Sequence, residues 1–595
     1  MAVLLSGSAL LRGCGKVAQK VRTAAKKSLL FGRKPKERQD SASGIAALLN
    51  RLHFASALEK ALSESRIFNG LYHYWANLLA GSINNLLLLI APFCFGMTAI
   101  SVVFGNWGAV ILCPIVLGLL IVLLPQECTI KDFLSGTLLS RLITKKFSYP
   151  NGTPKRSISI YMMFCGFAGA FMGLKGLLWG IATMLLLAVF PIIFSVPPMW
   201  MVYLLFGALP LCGTSICWAL SVAIAVLYLF ARAFGKEQGR PLDKIDLLLL
   251  IFPLFCLVST LVSFDVADSA KVAFMWLGLF LCVFFIRRLV CTRRRLTSAL
   301  VSLAIGGAAS GCYGLFQYFS GKVDTTWTDT ALFEDLTLRV YSTFANPNVF
   351  GEFLLLLIPL VVAAAFYTEH KKLRIALLGI DGILLINLAL TYSRGCYVGI
   401  AVTAIFFLWH FSKKWMVTVL ALLIPLGMLL MPQTVVDRLM SIGDMSDGST
   451  SYRMMIYVGT AWMLLDYWIG GVGIGEKAFN TLYPLYAVPG IAAPHSHSLF
   501  FQSVVSFGIM GLVYLIGLFT VYQKQTGAAR KTATGKDRLL LIAFNTVMWG
   551  MIVQSIFDYT WYNYRVFQLF WIVIVLGISA AEIIKNPTNQ EVQHD

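Results

Sequence analysis

Two histidines and two arginines have types and surroundings that could support acid–base chemistry beside an anion. His495 and His497 stand one residue apart in AAPHSHS, directly before a long apolar run. Arg394 lies in LTYSRGCYVG, at a tight corner between two apolar stretches, and Arg453 lies in DGSTSYRMM. A histidine can remove a proton near neutral pH, whereas a guanidinium presents a fixed fork of donors that suits a diphosphate.

The histidine pair leaves three interpretations open. A general base requires one histidine within hydrogen-bond reach of a hydroxyl, and no further motif. A metal site requires more, because His-x-His supplies two ligands at most and no Cys, Asp or Glu lies close in sequence. Acidic residues of the same loop could fold back to complete a shell, namely Asp444, Asp447, Asp466 and Glu476. The third interpretation is that both histidines are ordinary loop residues.

The segment around Arg453 favours anion binding. Asp-Gly at 447–448 makes a turn, and Ser449 or Thr450 is predicted to cap a helix that runs to about Tyr467 in the membrane interface. A helix N-terminus attracts anions, so Arg453 and free backbone N–H groups together would hold a phosphate. The GGVGIG that follows resembles a nucleotide-binding loop only superficially, because no strand is predicted before it. We interpret it as a tight helix exit.

A further segment, LRVYSTFANPNVFGEF, joins the same face of the protein. Its Asn-Pro is a turn signal, and Asn348 is predicted to cap a helix that begins at Val349. Arg339 and Glu352 flank this turn and could serve a site. The candidate supporting residues are His495, Arg339, Asn348 and Ser393.

The composition predicts a membrane protein. Of 595 residues, 58% are hydrophobic and 13% charged, with a mean hydropathy of +0.76, which leaves little charge to cover a soluble surface. Apolar runs recur that are long enough to cross a ~30 Å hydrocarbon core, and they predict an all-α polytopic membrane protein with about 12–14 transmembrane helices. The runs lie near 83–105, 107–124, 159–197, 199–234, 246–266, 270–287, 296–318, 350–368, 373–391, 396–411, 414–431, 498–522, 539–557 and 565–584. The runs at 159–197 and 199–234 could each hold one crossing or two.

The basic residues predict the orientation. We attribute the net charge of +20 to loops that face anionic lipid, and not to nucleic-acid binding. The positive-inside rule places four basic segments in the cytoplasm, which are 287–295, 370–374, 412–414 and 524–538. Both termini are then cytoplasmic, and two long loops at 319–349 and 432–497 are external. The candidate residues therefore collect at the outer face.

The predicted organisation has four parts. Residues 1–80 form a basic cytoplasmic or interfacial arm, residues 83–234 hold the N-terminal transmembrane helices, residues 240–584 form a transmembrane core with the two external loops, and residues 585–595 form a cytoplasmic tail.

Four matches in order make residues 240–584 resemble the O-antigen ligase and O-antigen polymerase superfamily of bacterial membrane glycosyltransferases. They are STFANPNVFGEF, LTYSRG, Arg453 with a helix that ends in GGVGIG, and HSLFFQSVVSFGIMG. The last is the most specific, because the family pattern is His, then Asn, Ser or Gln, nine residues, Gly, two residues, and Gly, Thr or Tyr. A frame that starts at His495 would place Ser506 at the first glycine. The residues that fill the pattern are His497, Ser498, Gly508 and Gly511.

The resemblance implies a helical enzyme similar to the GT-C group, with a large external loop. Such enzymes move a glycan from undecaprenyl diphosphate to an acceptor hydroxyl on the outer side of the bacterial cytoplasmic membrane. Arg394 and Arg453 would match the arginines that hold the diphosphate, and His497 would match the base. The resemblance implies no metal and no other cofactor. The partners would be the lipid-linked glycan, membrane lipid and a glycan, lipid or protein acceptor.

Three other functions remain open from the sequence. A polymerase that joins repeat units and a protein O-oligosaccharyltransferase would share the donor but not the acceptor. A transporter should show paired charges or broken helices near the membrane midplane. The clear intramembrane charges are Asp381 and Lys175, whereas the other polar residues collect at the outer rim, which favours an enzyme.

Overall fold

The computed structural model describes residues 87–103, 107–123, 197–233, 242–321, 339–422 without 415 and 420, and 448–586, with the single residues 166, 169 and 436. Several predicted features lie wholly or mostly outside these ranges: the arm at 1–80, the runs at 159–197 and 414–431, the tail at 585–595, and large parts of the loops at 319–349 and 432–497.

The chain divides into two units, residues 1–54 with 241–247, and residues 55–240 with 248–595. In the first unit only residues 242–247 are described. There Asp243 precedes a helix and caps its start, because its Oδ1 accepts hydrogen bonds of 2.9 Å from the backbone N–H groups of Ile245 and Asp246. The other described residues belong to the second unit.

Helices make up the regular structure, and the described residues contain no β-strand. The expected all-α class is therefore confirmed. In chain order the helices are α1 (Leu87–Val103), α2 (Trp107–Leu123), α3 (Pro198–Ala208), α4 (Thr214–Ala233), α5 (Lys244–Leu261), α6 (Val266–Leu289), α7 (Arg293–Ser320), α8 (Pro347–Tyr367), α9 (Lys371–Leu390), α10 (Arg394–Phe411), α11 (Gly448–Tyr467), α12 (Glu476–Leu482), α13 (Leu499–Phe507), α14 (Ile509–Thr532), α15 (Gly535–Phe557) and α16 (Tyr564–Lys585). A 3-10 turn, Tyr483–Leu485, follows α12.

Within the described part of the chain, eight helices are long and apolar enough to cross a membrane, namely α5 to α10, α15 and α16. Three shorter apolar helices lie at Ile90–Val103, Pro198–Ala208 and Thr214–Leu229. The last two divide the run at 199–234, one of the two divisions that the sequence left open. The arrangement is polytopic as expected, whereas the predicted total of about 12–14 refers to the whole chain.

The run at 498–522, which hydropathy predicts as one crossing, forms two helices instead. α13 ends at Phe507 and α14 begins at Ile509, with Gly508 between them at φ 68° and ψ −173°. Glycine is needed there because other residues rarely adopt positive φ, and because a Cβ would overlap the carbonyl oxygen of Ile469. The single-span prediction is therefore wrong. The break leaves α13 as a short helix directly after the histidine pair.

Glycines bring α10 and α15 into close contact. A Cβ on Gly550 would overlap the carbonyl oxygen of Gly399, and a Cβ on Gly395 would overlap the side-chain amide of Gln554. Small residues of this kind let helix backbones approach each other in membrane proteins. The start of α10 therefore lies against the last turn of α15, immediately before Asp558.

α15 connects two chemically different regions. It has 23 residues and a length of about 34 Å. At its start, three contacts bring the four basic segments or their immediate neighbours together: Arg293 Nη2 with Asp537 Oδ2 at 2.8 Å, Lys536 Nζ with Glu369 Oε1 at 2.9 Å, and Arg538 Nη2 with the carbonyl oxygen of His410 at 2.9 Å. At its end it leads to the histidine pair. The orientation that the positive-inside rule gives for these basic segments stays a prediction.

Candidate active site

His497 lies where the chain enters α13, in a backbone conformation that residues other than glycine rarely adopt. Its φ is 49°. Its N–H donates to Nδ1 of His495 over 3.1 Å, and its carbonyl oxygen accepts from the hydroxyl of Tyr457 over 3.0 Å. Backbone strain held by surrounding contacts is concentrated at functional sites.

Asp558 joins His497 to Arg453. Its Oδ1 lies 3.4 Å from Nδ1 of His497, and its Oδ2 lies 3.3 Å from Nη2 of Arg453. The backbone N–H of Tyr559 donates to Oδ1 over 2.9 Å, which orients the carboxylate. The distance of 3.4 Å exceeds that of a formed N–H···O bond. Such contacts often shorten when substrate binds.

The charge of Asp558 is held by its neighbours. Burial on its own would raise the pKa of Asp558, but the positive charge of Arg453 and the contact with His497 hold that pKa well below its usual range. The carboxylate is therefore ionised at physiological pH. An ionised carboxylate beside Nδ1 of His497 keeps a proton on that nitrogen and leaves Nε2 to accept another. His497 keeps 20% of its side-chain surface exposed, which allows a substrate to reach it.

His495 has a different environment. It is buried, with its ring centroid 4.3 Å from that of His497 and 4.7 Å from that of Tyr562. Because its Nδ1 accepts the N–H of His497, its own proton is assigned to Nε2. Burial, followed by the charge of His497, lowers the pKa of His495 to about 3. This neutral imidazole therefore orients the backbone of its neighbour.

His495 should make stability depend on pH, because folding lowers its pKa from 6.5 to about 3. Between these values the unfolded chain binds a proton that the folded protein excludes. The stabilisation is therefore complete above pH 6.5 and is lost as the pH falls toward 3. We expect the unfolding temperature of His495→Gln to fall less steeply over this range than that of the wild type. His370→Gln, at an exposed histidine, should show the same dependence of unfolding temperature on pH as the wild type. An equal dependence in all three proteins would contradict the lowered pKa of His495.

Arg453 lies in the second turn of α11, whose predicted end at Tyr467 is confirmed. The predicted caps are wrong, because the helix already includes Gly448, so that Ser449 and Thr450 lie in its first turn. Polar residues are common in first turns as well as at caps, and local patterns do not separate these positions well. Arg453 nevertheless remains near the helix N-terminus, where the backbone favours anions.

Tyr457 fixes the position of α11 relative to the other parts of the site. It lies one turn beyond Arg453, and its hydroxyl is 3.0 Å from the carbonyl oxygen of His497 and 3.1 Å from that of Ile556. The single hydroxyl proton is shared between these two carbonyl oxygens, and the two contacts join α11, the histidine segment and the last turn of α15. They hold Arg453, His497 and Asp558 in one place.

The GGVGIG segment forms a tight helix exit, as predicted. Gly471, Gly473 and Gly475 have φ of 73°, 110° and 111°, which glycine adopts at low cost. The N–H of Val472 donates to the carbonyl oxygen of Val505 over 2.7 Å. The exit therefore contacts α13, the helix that follows the histidine pair.

Arg394 begins α10, at the predicted corner, and is half-buried. The next residue, Gly395, packs against Gln554, whose Nε2 lies 3.3 Å from Oε1 of the buried Glu352. Gln554 precedes Asp558 by one turn, and its carbonyl oxygen accepts the N–H of Asp558 over 3.1 Å. The start of α10, where Arg394 lies, therefore packs one turn before Asp558.

Arg339 and Asn348 contact each other. Arg339 donates from Nη2 to Oδ1 of Asn348 over 2.9 Å and from Nε to the carbonyl oxygen of Thr391 over 3.0 Å. The predicted cap is wrong, because α8 begins at Pro347 and Asn346 is its N-cap residue. The Oδ1 of Asn346 accepts the N–H of Asn348 over 2.8 Å. Proline favours the first helical position, which places the cap one residue earlier.

Four residues other than glycine have positive φ in the described ranges: Ser342, Ala345, Tyr392 and His497. They fall in YSTFANP, LTYSRG and HSHS, three of the four segments that the sequence singles out. Ser393 follows Tyr392 as the buried N-cap residue of α10 and makes no side-chain capping bond. The coincidence of strain with these segments supports a common functional region.

The described residues contain no group of three His, Cys, Asp or Glu side chains that could hold a metal ion. Asp466 accepts a hydrogen bond from the hydroxyl of Tyr486, and Glu476 begins α12. Asp444 and Asp447 lie outside the described ranges. Metal independence stays a prediction, which chelation can test.

Sequence reasoning did not select three residues of this site, Asp558, Gln554 and Tyr457. The available signal for Asp558 was its position directly after the apolar run at 539–557, on the predicted external side. Acidic residues beside a membrane usually need a partner. Nothing in the local pattern indicated that the partners would be His497 and Arg453.

The helices describe a polytopic membrane protein in which Asp558 contacts both His497 and Arg453. The family model described as O-antigen ligase matches residues 379–516, a segment that contains Arg394, Arg453 and His497. The resemblance is therefore confirmed over this segment, which is similar to the O-antigen ligase family. The family implies an enzyme of the glycosyltransferase or ligase type with a lipid-linked glycan and an acceptor as partners. No curated protein matches the chain.

Proposed function

We propose that the protein transfers a glycan from undecaprenyl diphosphate to an acceptor hydroxyl on the outer face of the bacterial cytoplasmic membrane. The observation that carries this proposal is the contact of Asp558 with both His497 and Arg453. Glycan transfer from a diphosphate requires removal of the acceptor proton and stabilisation of charge on the leaving group. The group offers one residue type for each task.

In the proposed step, the acceptor oxygen attacks the anomeric carbon while the bond from that carbon to the diphosphate oxygen breaks. The acceptor proton passes to Nε2 of His497, and the bonding electrons leave with the diphosphate. Asp558 stabilises the resulting imidazolium through Nδ1–H, without taking the proton itself. In-line attack inverts the anomeric centre.

Arg394 and Arg453 would hold the diphosphate. Each guanidinium has five N–H donors, and the 3.3 Å contact of Arg453 with Asp558 involves one nitrogen, Nη2. Both arginines lie in the first two turns of their helices, α10 and α11, where backbone N–H groups add partial positive charge. Two such groups can supply the charge stabilisation that a divalent cation supplies in other enzymes.

The acceptor distinguishes the alternatives. A repeat-unit polymerase or a protein O-oligosaccharyltransferase would use the same base and donor with a different hydroxyl. A transporter would need a path of charges through the membrane. Asp381 is buried in α9, and its Oδ1 has no hydrogen-bond partner in the described part, but one carboxylate does not form a path. Lys175 lies outside the described ranges.

The test uses the purified full chain in liposomes with undecaprenyl diphosphate that carries a labelled glycan. A lipid oligosaccharide, a second lipid-linked glycan and a Ser/Thr-containing peptide are offered as acceptors. We expect the label on one acceptor, through an inverted linkage, with release of undecaprenyl diphosphate. Label that crosses the bilayer without transfer would favour the transporter and contradict the proposal.

The same assay, run with a chelator, tests whether transfer needs a metal ion. We expect EDTA to leave transfer at its original rate, because arginines supply the positive charge. Loss of transfer that a single divalent ion restores would return the His-x-His pair to the metal interpretation.

A further inference from the structure

A basic cavity lies at the start of α15, at the opposite end of that helix from Asp558. Its volume is about 330 Å³, and its lining residues are His410, Arg530, Lys531, Ala533 and Arg538. The walls come from the last turns of α10 and α14 and the first turn of α15. Three of these five residues carry a fixed positive charge, and none of the five carries a carboxylate.

The cations of this cavity differ from their neighbours in their partners. Arg530 donates from Nη1 to the amide oxygen of Asn545 over 3.3 Å, and Arg538 donates to the carbonyl oxygen of His410 over 2.9 Å. Neutral oxygens satisfy hydrogen bonds but do not compensate the charge, and in the described part of the chain no carboxylate pairs with either guanidinium. Cations of the neighbouring contacts at the start of α15 instead pair with acids, as Arg293 does with Asp537 and Lys536 does with Glu369.

The two arginines also affect each other. Burial, followed by the charge of Arg538, lowers the pKa of Arg530. Partly buried cations of like sign repel each other and lose hydration, so that an anion between them lowers the free energy of the site. The cavity has the space for such an anion.

We propose that this cavity binds a phosphate group, carried either by the headgroup of an anionic phospholipid or by free phosphate. Two guanidinium groups match the geometry of phosphate oxygens. The cavity lies at the ends of α10 and α15, both candidate spans, which is the level of lipid headgroups. Basic pockets between membrane helices bind such headgroups. The site is separate from the His497 group and does not depend on the proposed transfer reaction.

The experiment measures thermal unfolding of the full chain in lipid nanodiscs. Phosphatidylcholine discs are compared with discs that also contain phosphatidylglycerol, and with phosphatidylcholine discs in inorganic phosphate against chloride of equal ionic strength. We expect one of these ligands to raise the unfolding temperature of the wild type by mass action. The double variant Arg530→Gln/Arg538→Gln should lose most of that increase.

A matched variant separates the cavity from general charge. Lys371→Gln/Lys372→Gln removes two charges from exposed lysines of the same basic region and should keep the increase. An increase with phosphatidylglycerol alone assigns the lipid headgroup, and an increase with inorganic phosphate assigns free phosphate. Equal losses in both double variants, or no increase in the wild type with either ligand, would overturn the proposal.

A second cavity variant tests the site even if Arg530→Gln/Arg538→Gln does not fold. Arg530→Lys/Arg538→Lys keeps both charges but removes the forks, so its increase should be smaller than that of the wild type. An unchanged increase would also count against the site.

Discussion

Replacing His497 with asparagine is expected to reduce glycan transfer by about 10²- to 10⁴-fold, the usual contribution of a general base. Asparagine tolerates positive φ better than most residues, so the backbone held by Tyr457 and His495 should be kept. Donor binding should change little, because Arg394 and Arg453 are unaltered. The loss should therefore appear in kcat, measured with the labelled donor at saturating acceptor.

The control for this variant is His370→Asn, at an exposed histidine that precedes α9. Both variants should unfold at the temperature of the wild type, and the control should keep full activity. A folded His497→Asn with undiminished kcat would exclude His497 as the base. His497→Ala should be as inactive as the asparagine variant, although its backbone at positive φ is less favourable.

Asp558→Asn is expected to cost a similar factor, about 10²- to 10⁴-fold in kcat, because it removes the charge beside the imidazole. Asparagine has almost the same size and can still accept the N–H of Tyr559. Its amide group can, however, donate to Nδ1 of His497, which moves the ring proton to Nε2 and blocks the base. Arg453 also loses its charged partner, so a change in donor KM is expected in addition.

Asp466→Asn is the control for this second variant, because its carboxylate contacts the hydroxyl of Tyr486 and not the histidine pair. It should transfer glycan at the wild-type rate. A catalytic role for Asp558 predicts a lower kcat at an unchanged unfolding temperature. If activity falls only in proportion to the fraction of folded protein, Asp558 has a structural role alone.

The histidine spacing could be predicted from the sequence because it reflects local structure. The nine residues between Ser498 and Gly508 form α13, and the glycine supplies the positive φ at which that helix ends. A frame that began at His495 would require this break at Ser506, inside the helix. The family pattern that selects His497 therefore coincides with the length of one helix.

The Asp558 contact could not be predicted in the same way. Three helices, α13, α14 and α15, separate it from His497 along the chain, and the position of α15 depends on contacts such as that of Gly550 with Gly399. No local pattern records such a distance. Hydropathy likewise does not detect the break at Gly508, because the carbonyl oxygen that requires glycine there belongs to Ile469.

The prediction that Asn348 caps α8 was wrong for a more local reason. Asn346, Pro347 and Asn348 place an asparagine on each side of a proline, and both can cap a helix. The preference of proline for the first helical position decides between them. Asn348 is thereby left to accept the hydrogen bond of Arg339, a contact that no cap rule describes.

The left-handed backbone at Ser342, Ala345, Tyr392 and His497 limits which residues can replace them as the sequence diverges. β-branched residues and proline fit a φ near +50° poorly, whatever their side chains would contact, whereas glycine and asparagine fit it well. Main-chain geometry therefore restricts the residue types at these positions, whatever the function of their side chains. At His497 both the positive φ and the proposed role as base restrict the residue type, so fewer residues are acceptable there than the proposed role alone would allow.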